Sequence, residues 1–306
     1  MGVRAFGLAF LLAAPAAAQI QGVPVNCVPT PPAYDRKIPV NEPQDTRSRE
    51  LWRDGDVYRI QGPAGDTWVV VEKNYLDAAR LSAICADIAE AREAVPKVIG
   101  PRARKFASVT YYLYDNGPIS NARATGAHAG EPGIMLKFAK EDKAPTFHEL
   151  VHVLSPDGPA TGFSESLSEG IADAVQLQLR PGKAFAFNPA NMNVDAEAKT
   201  WLAAYPKIAD AVGGPVLVRF LPAAELPVPT RTFSPTPGLT VTKRFEDKDA
   251  RFGFYHASAS FTRWLIAQKG VDAVVGVYEA NGADAAYRAA FGKSLDQLRA
   301  DWRASL

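Results

Sequence analysis

Five residues, His148-Glu149-Leu150-Val151-His152, constrain this chain more than any other feature. Phe147, Leu150, Val151, Val153 and Leu154 make their surroundings apolar, so a helix over about 145–155, stopped by Pro156-Asp157-Gly158, is a buried one. Two imidazoles and a carboxylate on a buried helix need partners. Residues four apart share a helix face, so His148 and His152 can reach one metal ion. Glu149 lies one step round from His148 and is not a natural third ligand. It can touch a water at the metal and take its proton as that water attacks a carbonyl. The plainer alternative, a helix carrying two unconnected histidines, leaves their burial unexplained.

Such a site needs a third protein ligand and keeps a fourth position for water. No histidine follows His152 by six residues, and Ser155 stands where the longer H-E-x-x-H-x-x-G-x-x-H pattern has glycine. The next candidate is Glu169 in Ser166-Leu167-Ser168-Glu169-Gly170-Ile171-Ala172-Asp173. Its place 17 positions after His152 leaves room for a turn and a second helix over about 165–179. Asp173, one turn further along the same face, can accept the free ring N–H of a ligating histidine. Other roles stay open at this point. Ser166 and Glu169 also read as a capping box, Glu165 is a rival ligand, and Asp173 can be an ordinary surface carboxylate.

The rest of the chain reads as a mixed α/β half followed by a mostly helical half. The prolines and polar residues of 19–50 suggest an extended arm. Val57–Ile60 and Trp68–Val71 flank a Gly- and Pro-containing turn and predict a hairpin. An amphipathic helix follows over 75–95, then strands at Val109–Tyr114 and Ile134–Phe138. Together with the histidine helix these form an α/β unit over 51–160. A helical unit covers 161–306 and carries Glu169. It is interrupted by a Pro- and Gly-rich segment, 181–250, with a helix only near 196–212. A helix from Tyr255 to about Lys269 follows, and a last one has Leu295, Leu298 and Trp302 on one face.

The N-terminus adds a compartment. Arg4, the uncharged apolar run Phe6–Ala14 and Ala16-Ala17-Ala18 predict a secretory signal peptide over 1–18, too short to span a bilayer as an anchor. The expectation is an exported protein, periplasmic or secreted, without a membrane span. Lys plus Arg number 34 and Asp plus Glu 33; without Arg4 the two balance at 33 each. A global field for nucleic acid is thereby excluded. The two cysteines, Cys27 and Cys85, can pair in an oxidising compartment and pin the arm to the body. Alternatively Cys85 is a free thiol on the apolar face of Leu81, Ile84 and Ile88.

The His148–His152 and Leu167–Ala172 stretches resemble the gluzincin zinc metallopeptidases, in particular the bacterial peptidase MA-like group. Tyr255–Phe261 is similar to that family's tyrosine-initiated helix, and Ala290–Leu295 through Trp302 to its terminal helix. The likeness runs from about residue 107 to the end, apart from 181–250. It implies a zincin-like α+β fold and one zinc ion on His148, His152 and Glu169, with Glu149 as general base. Tyr255, or His256 beside it, would steady the oxyanion. It also implies a cleft-lining edge strand, for which Ile134, Met135 and Leu136 are the candidates; they can equally be a plain core strand. His128 receives no task. A peptide or protein is the implied substrate. The large aromatic that usually precedes the Glu-Gly pair closely is missing, since Ser166 stands near there and Phe163 lies further back. Two other readings remain at this stage: a silent binding protein on the same scaffold, and a zinc hydrolase of non-peptide amides or esters.

Overall fold

A computed structural model describes residues 27–30, 46–115, 121–128, 131–156, 164–215, 218–219, 243–244 and 250–306. The expected signal peptide (1–18), most of the arm and Phe163 lie outside these residues.

Six strands form one mixed sheet: β1 (Val28–Thr30), β2 (Asp56–Ile60), β3 (Asp66–Val71), β4 (Ser108–Leu113), β5 (Asn121–His128) and β6 (Glu131–Leu136). Their order is β1-β2-β3-β4-β6-β5. The predicted hairpin is β2–β3, paired antiparallel with Val57 opposite Val70. Gly65 closes its turn at φ 97°, and a Cβ there would meet the Ala107 carbonyl oxygen at 2.6 Å, so glycine is needed twice over. Helix α2 (Ala78–Ile99) crosses back so that β4 runs parallel to β3.

Helix α2 differs from the predicted 75–95 in running through Pro96. Val95 and Ile99, on either side of the proline, are both fully buried, and this packing outweighs the lost hydrogen bond. Asp77 caps its start by accepting from the Arg80 N–H at 2.7 Å.

Side chains alternate across the sheet. Val69, Val71, Val109, Tyr111, Leu113, Ile134 and Leu136 join the main core under the helices. Val70, Tyr112, Tyr114 and Trp68 face the other way, against Leu51 and Trp52 of α1 (Thr46–Asp54). The arm expected to extend to residue 50 therefore ends in a helix that covers the sheet's second face. Its β1 pairs with β2, and Cys27 forms a disulfide with Cys85 of α2.

The expectation that Ile134, Met135 and Leu136 form the edge strand is corrected. They lie in β6, which pairs with β4 on one side and with β5 on the other. The 121–128 stretch alternates only alanine with polar residues and has no large apolar or β-branched aliphatic side chain to announce a strand, yet it is the outer neighbour. His128 closes β5.

The helical half comprises α3 (Thr146–Leu154), α4 (Glu165–Leu179), α5 (Val194–Ala204), α6 (Ala250–Lys269), α7 (Val271–Glu279), α8 (Asp284–Phe291) and α9 (Leu295–Ser305). One hydrophobic cluster runs from the sheet through α3 and α4 to Phe261, Tyr287 and Trp302, so the two halves share a core. The part of 181–250 up to residue 215 belongs to this helical layer, since α5 packs on α6. Farther on, the short strands β7 (Val218–Arg219) and β8 (Lys243–Arg244) pair in parallel. Among the described residues, no helix is long and apolar enough to cross a membrane.

Candidate metal centre

Helix α3 runs under the sheet with Phe147, Leu150, Val151, Val153 and Leu154 in the core. That burial turns His148 and His152 toward α4. Helix α4 is placed by its cap. Ser164, not Ser166, is the N-cap; its hydroxyl accepts from the Leu167 N–H at 3.3 Å and donates to the Gly214 carbonyl at 2.8 Å. Ser166 bonds the Ser258 hydroxyl of α6 at 2.9 Å and accepts from the Gly213 N–H at 2.8 Å. The capping-box reading of Ser166 and Glu169 therefore fails, and Glu169 is left to face α3.

Three ligand atoms converge there, all within 4.8 Å of one another. His148 Nε2 lies 3.1 Å from His152 Nε2 and 3.3 Å from a Glu169 carboxylate oxygen, and His152 Nε2 lies 3.7 Å from the same oxygen. A tetrahedral ion bound at about 2.0–2.1 Å needs ligand atoms about 3.3 Å apart. The observed triangle has that size. Glu165, the rival ligand, is not a member of it.

The backs of the rings are held as well. His148 Nδ1 is 2.7 Å from an Asp173 carboxylate oxygen, which selects the tautomer whose Nε2 lone pair faces the cluster. His152 Nδ1 is 3.2 Å from the Ser168 hydroxyl. The backbone N–H of His148, in the first turn of α3, donates to the Gln176 side chain at 3.1 Å. Ser168 and Gln176 were not singled out from sequence. Gln176, three residues beyond Asp173, was the more legible of the two.

The electrostatics agree with a cation site. Burial disfavours the charged form of His148, but Asp173 and Glu169 outweigh it and hold the imidazole's pKa well above its ordinary value. Burial raises the Glu169 carboxyl, and the two imidazoles more than reverse that, holding it well below the usual carboxylate range. Without a metal, a proton does the work of the positive charge. Glu149 is different. It is 5% exposed, and burial pushes its carboxyl up despite both imidazoles. The three ligand side chains remain 13%, 18% and 22% exposed, so water reaches them.

Tyr255 and His256 separate. Tyr255 lies inside α6, not at its start. Its hydroxyl accepts from Arg251 Nε at 3.0 Å and Nη2 at 2.8 Å. Burial and then the Glu169 charge push its phenol far up. Tyr255 is therefore a protonated donor within the field of the cluster. His256 instead places Nε2 2.9 Å from the Asn188 side-chain oxygen, and its Nδ1 is buried without a partner. Its burial lowers its pKa. His256 lies in the field of Asp173, as Tyr255 lies in that of Glu169, so both stand beside the cluster. Arg251, one turn before Tyr255, was visible in the sequence as an i, i+4 pair and was missed.

One aromatic turn completes the surroundings. Phe185 and Asn188 exchange backbone hydrogen bonds at 3.0 and 2.8 Å, and the Phe185 ring lies 6.5 Å from that of His148. The chain matches no protein-family model, no curated protein and no solved structure. The geometry of these residues therefore carries the functional argument.

Proposed function

We propose that this chain is an exported zinc-dependent metallopeptidase of gluzincin type. The observation that carries the reading is the ligand triangle of His148, His152 and Glu169 with the buried Glu149 carboxyl beside it. Two imidazoles and one carboxylate with a water-accessible side are the donor set of a catalytic zinc. A purely structural site has no use for Glu149.

Zinc at this place supplies Lewis acidity to a carbonyl and to a water. The chain's own groups do the rest. Asp173 and Ser168 fix the two rings so that both Nε2 atoms stay aimed inward. Glu149, its basicity raised by burial, takes the proton of the attacking water and delivers it to the leaving amine. Tyr255 donates its hydroxyl proton to the developing oxyanion. Export is supported by the apolar run at the N-terminus and by the Cys27–Cys85 disulfide, which persists in oxidising compartments.

The test is Glu149→Gln. Zinc content measured by atomic emission stays at about one per chain. Cleavage of a peptide library, read by mass spectrometry, falls by about 10²–10⁴-fold. Equal cleavage by both proteins overturns the mechanism.

A further inference from the structure

With β6 paired on both sides, a peptide cannot be read by strand addition to Ile134–Leu136. Recognition of a side chain then has to come from elsewhere, and among the described residues one exposed aromatic group stands out. Phe187 stands 57% exposed, one of two large apolar side chains so exposed among the described residues. It is not solitary. Its ring centroid lies 5.3 Å from Phe138 and 5.4 Å from Phe252, each pair edge to face.

These three rings come from three segments, one of which reaches toward the ligand cluster through Phe185. Phe138 follows β6 and precedes the histidine helix. Phe252 sits beside Arg251, one turn before Tyr255 on α6. Phe187 shares its tight turn with Phe185, whose ring packs toward His148. The backbone is held to this arrangement at a cost. Phe138 has φ 62° and Ala186 φ 47°, both left-handed conformations that non-glycine residues rarely adopt. The Ala186 N–H is tied to the Lys143 carbonyl at 2.7 Å, which anchors the turn to the approach of α3.

We infer that Phe138, Phe187 and Phe252 form a recognition subsite for a bulky apolar side chain, aromatic or long aliphatic, of a peptide held at the metal. The inference rests on the proposed metallopeptidase reading, and it narrows the substrate class. Rings already packed edge to face lose little freedom on binding, and the exposed Phe187 face is dehydrated only when such a side chain covers it.

The test uses binding rather than turnover. Zinc-loaded mature protein is titrated by calorimetry with phenylalanine hydroxamate and with glycine hydroxamate, which share the metal-binding group and differ by a benzyl side chain. Wild type is expected to prefer the phenylalanine compound by about 10–100-fold. In Phe187→Ser and in Phe252→Ser the preference falls to about threefold or less, while glycine hydroxamate binds as before. Phe187 is exposed, so its loss leaves the fold intact. Equal affinities in wild type, or a preference that survives both substitutions, overturn the subsite. Absence of bound zinc, with neither compound binding, overturns the metal reading beneath it and the subsite with it.

Discussion

The sharpest division of labour in this protein is between atoms of single side chains. His148 uses one nitrogen toward the cluster and the other toward Asp173. Tyr255 uses both lone pairs of its oxygen on Arg251, which leaves its proton to donate. Removing Arg251 should free that hydroxyl to turn away. Tyr255→Phe is expected to lower kcat by about 10²-fold or more, Arg251→Met by about tenfold, and the double variant no further than Tyr255→Phe alone. KM and zinc content change little. Steady-state kinetics on a peptide from the library screen decide it, and additive losses would separate the two residues. A pH prediction belongs at the same scale. In chelated protein, the raised His148 adds stability that is full below pH 6.5, the ordinary histidine value, and is lost as pH rises through its higher folded value. The depressed Glu169 adds stability present above pH 4.5, the ordinary glutamate value, and lost as pH falls toward its lower folded one. Chelated protein should therefore lose Tm on the alkaline side, and zinc should remove that loss because a cation replaces the proton. Thermal melts with chelator or zinc from pH 6 to 9 test this.

At the scale of elements, the site depends on how closely α4 approaches α6. An ideal Cβ on Gly170 would lie 2.6 Å from the Ser258 carbonyl oxygen and closer still to the Thr262 hydroxyl. Glycine beside Glu169 is thus a packing requirement that aims the ligand, not a catalytic one. Gly170→Ala should cost about 1–3 kcal/mol and weaken zinc binding with every ligand in place. Denaturant melts and a zinc titration measure both; an unchanged zinc affinity would detach the helix crossing from the site. The two ligand helices were legible in sequence because apolar spacing and ligand spacing are local. The span Glu165–Leu179 agrees with the predicted second helix, and α3 with the first. What was not legible is pairing between distant segments. The neighbour of β6, the true cap Ser164 and the passage of α2 through Pro96 are decided by contacts that no local pattern carries. Tyr255 was placed at a helix start for the same reason, since α6 begins at Ala250.

For the whole molecule, the larger of two hydrophobic clusters joins one face of the sheet to the helices, so a change that loosens that face reaches the candidate metal centre. The disulfide is the longest-range covalent tie in that core. It links Cys27 and Cys85 across 58 positions and clamps β1 and the N-terminal segment onto α2. Its helix also lies against α3, which carries both histidines. Closing a loop of this length restricts the unfolded chain by about 4 kcal/mol in the chain-entropy account. Sequence left the pairing open because the apolar face around Cys85 suits a buried thiol equally well. The buried pair resolves this: both cysteines are at most 1% exposed, so the bond is shielded from reductant in the folded state. The expected behaviour follows from that burial. Protein loaded with zinc should keep its disulfide and the metal in mild reductant. Cys27→Ser should lower Tm by several degrees, and it should do so in the zinc-loaded and the chelated protein alike, because the tie acts on the unfolded chain and not on the ligands. Thermal melts of both forms, with thiol titration of the folded protein, distinguish this from a redox switch. A loss of zinc on mild reduction, without unfolding, would instead make the disulfide a control element of the metal centre.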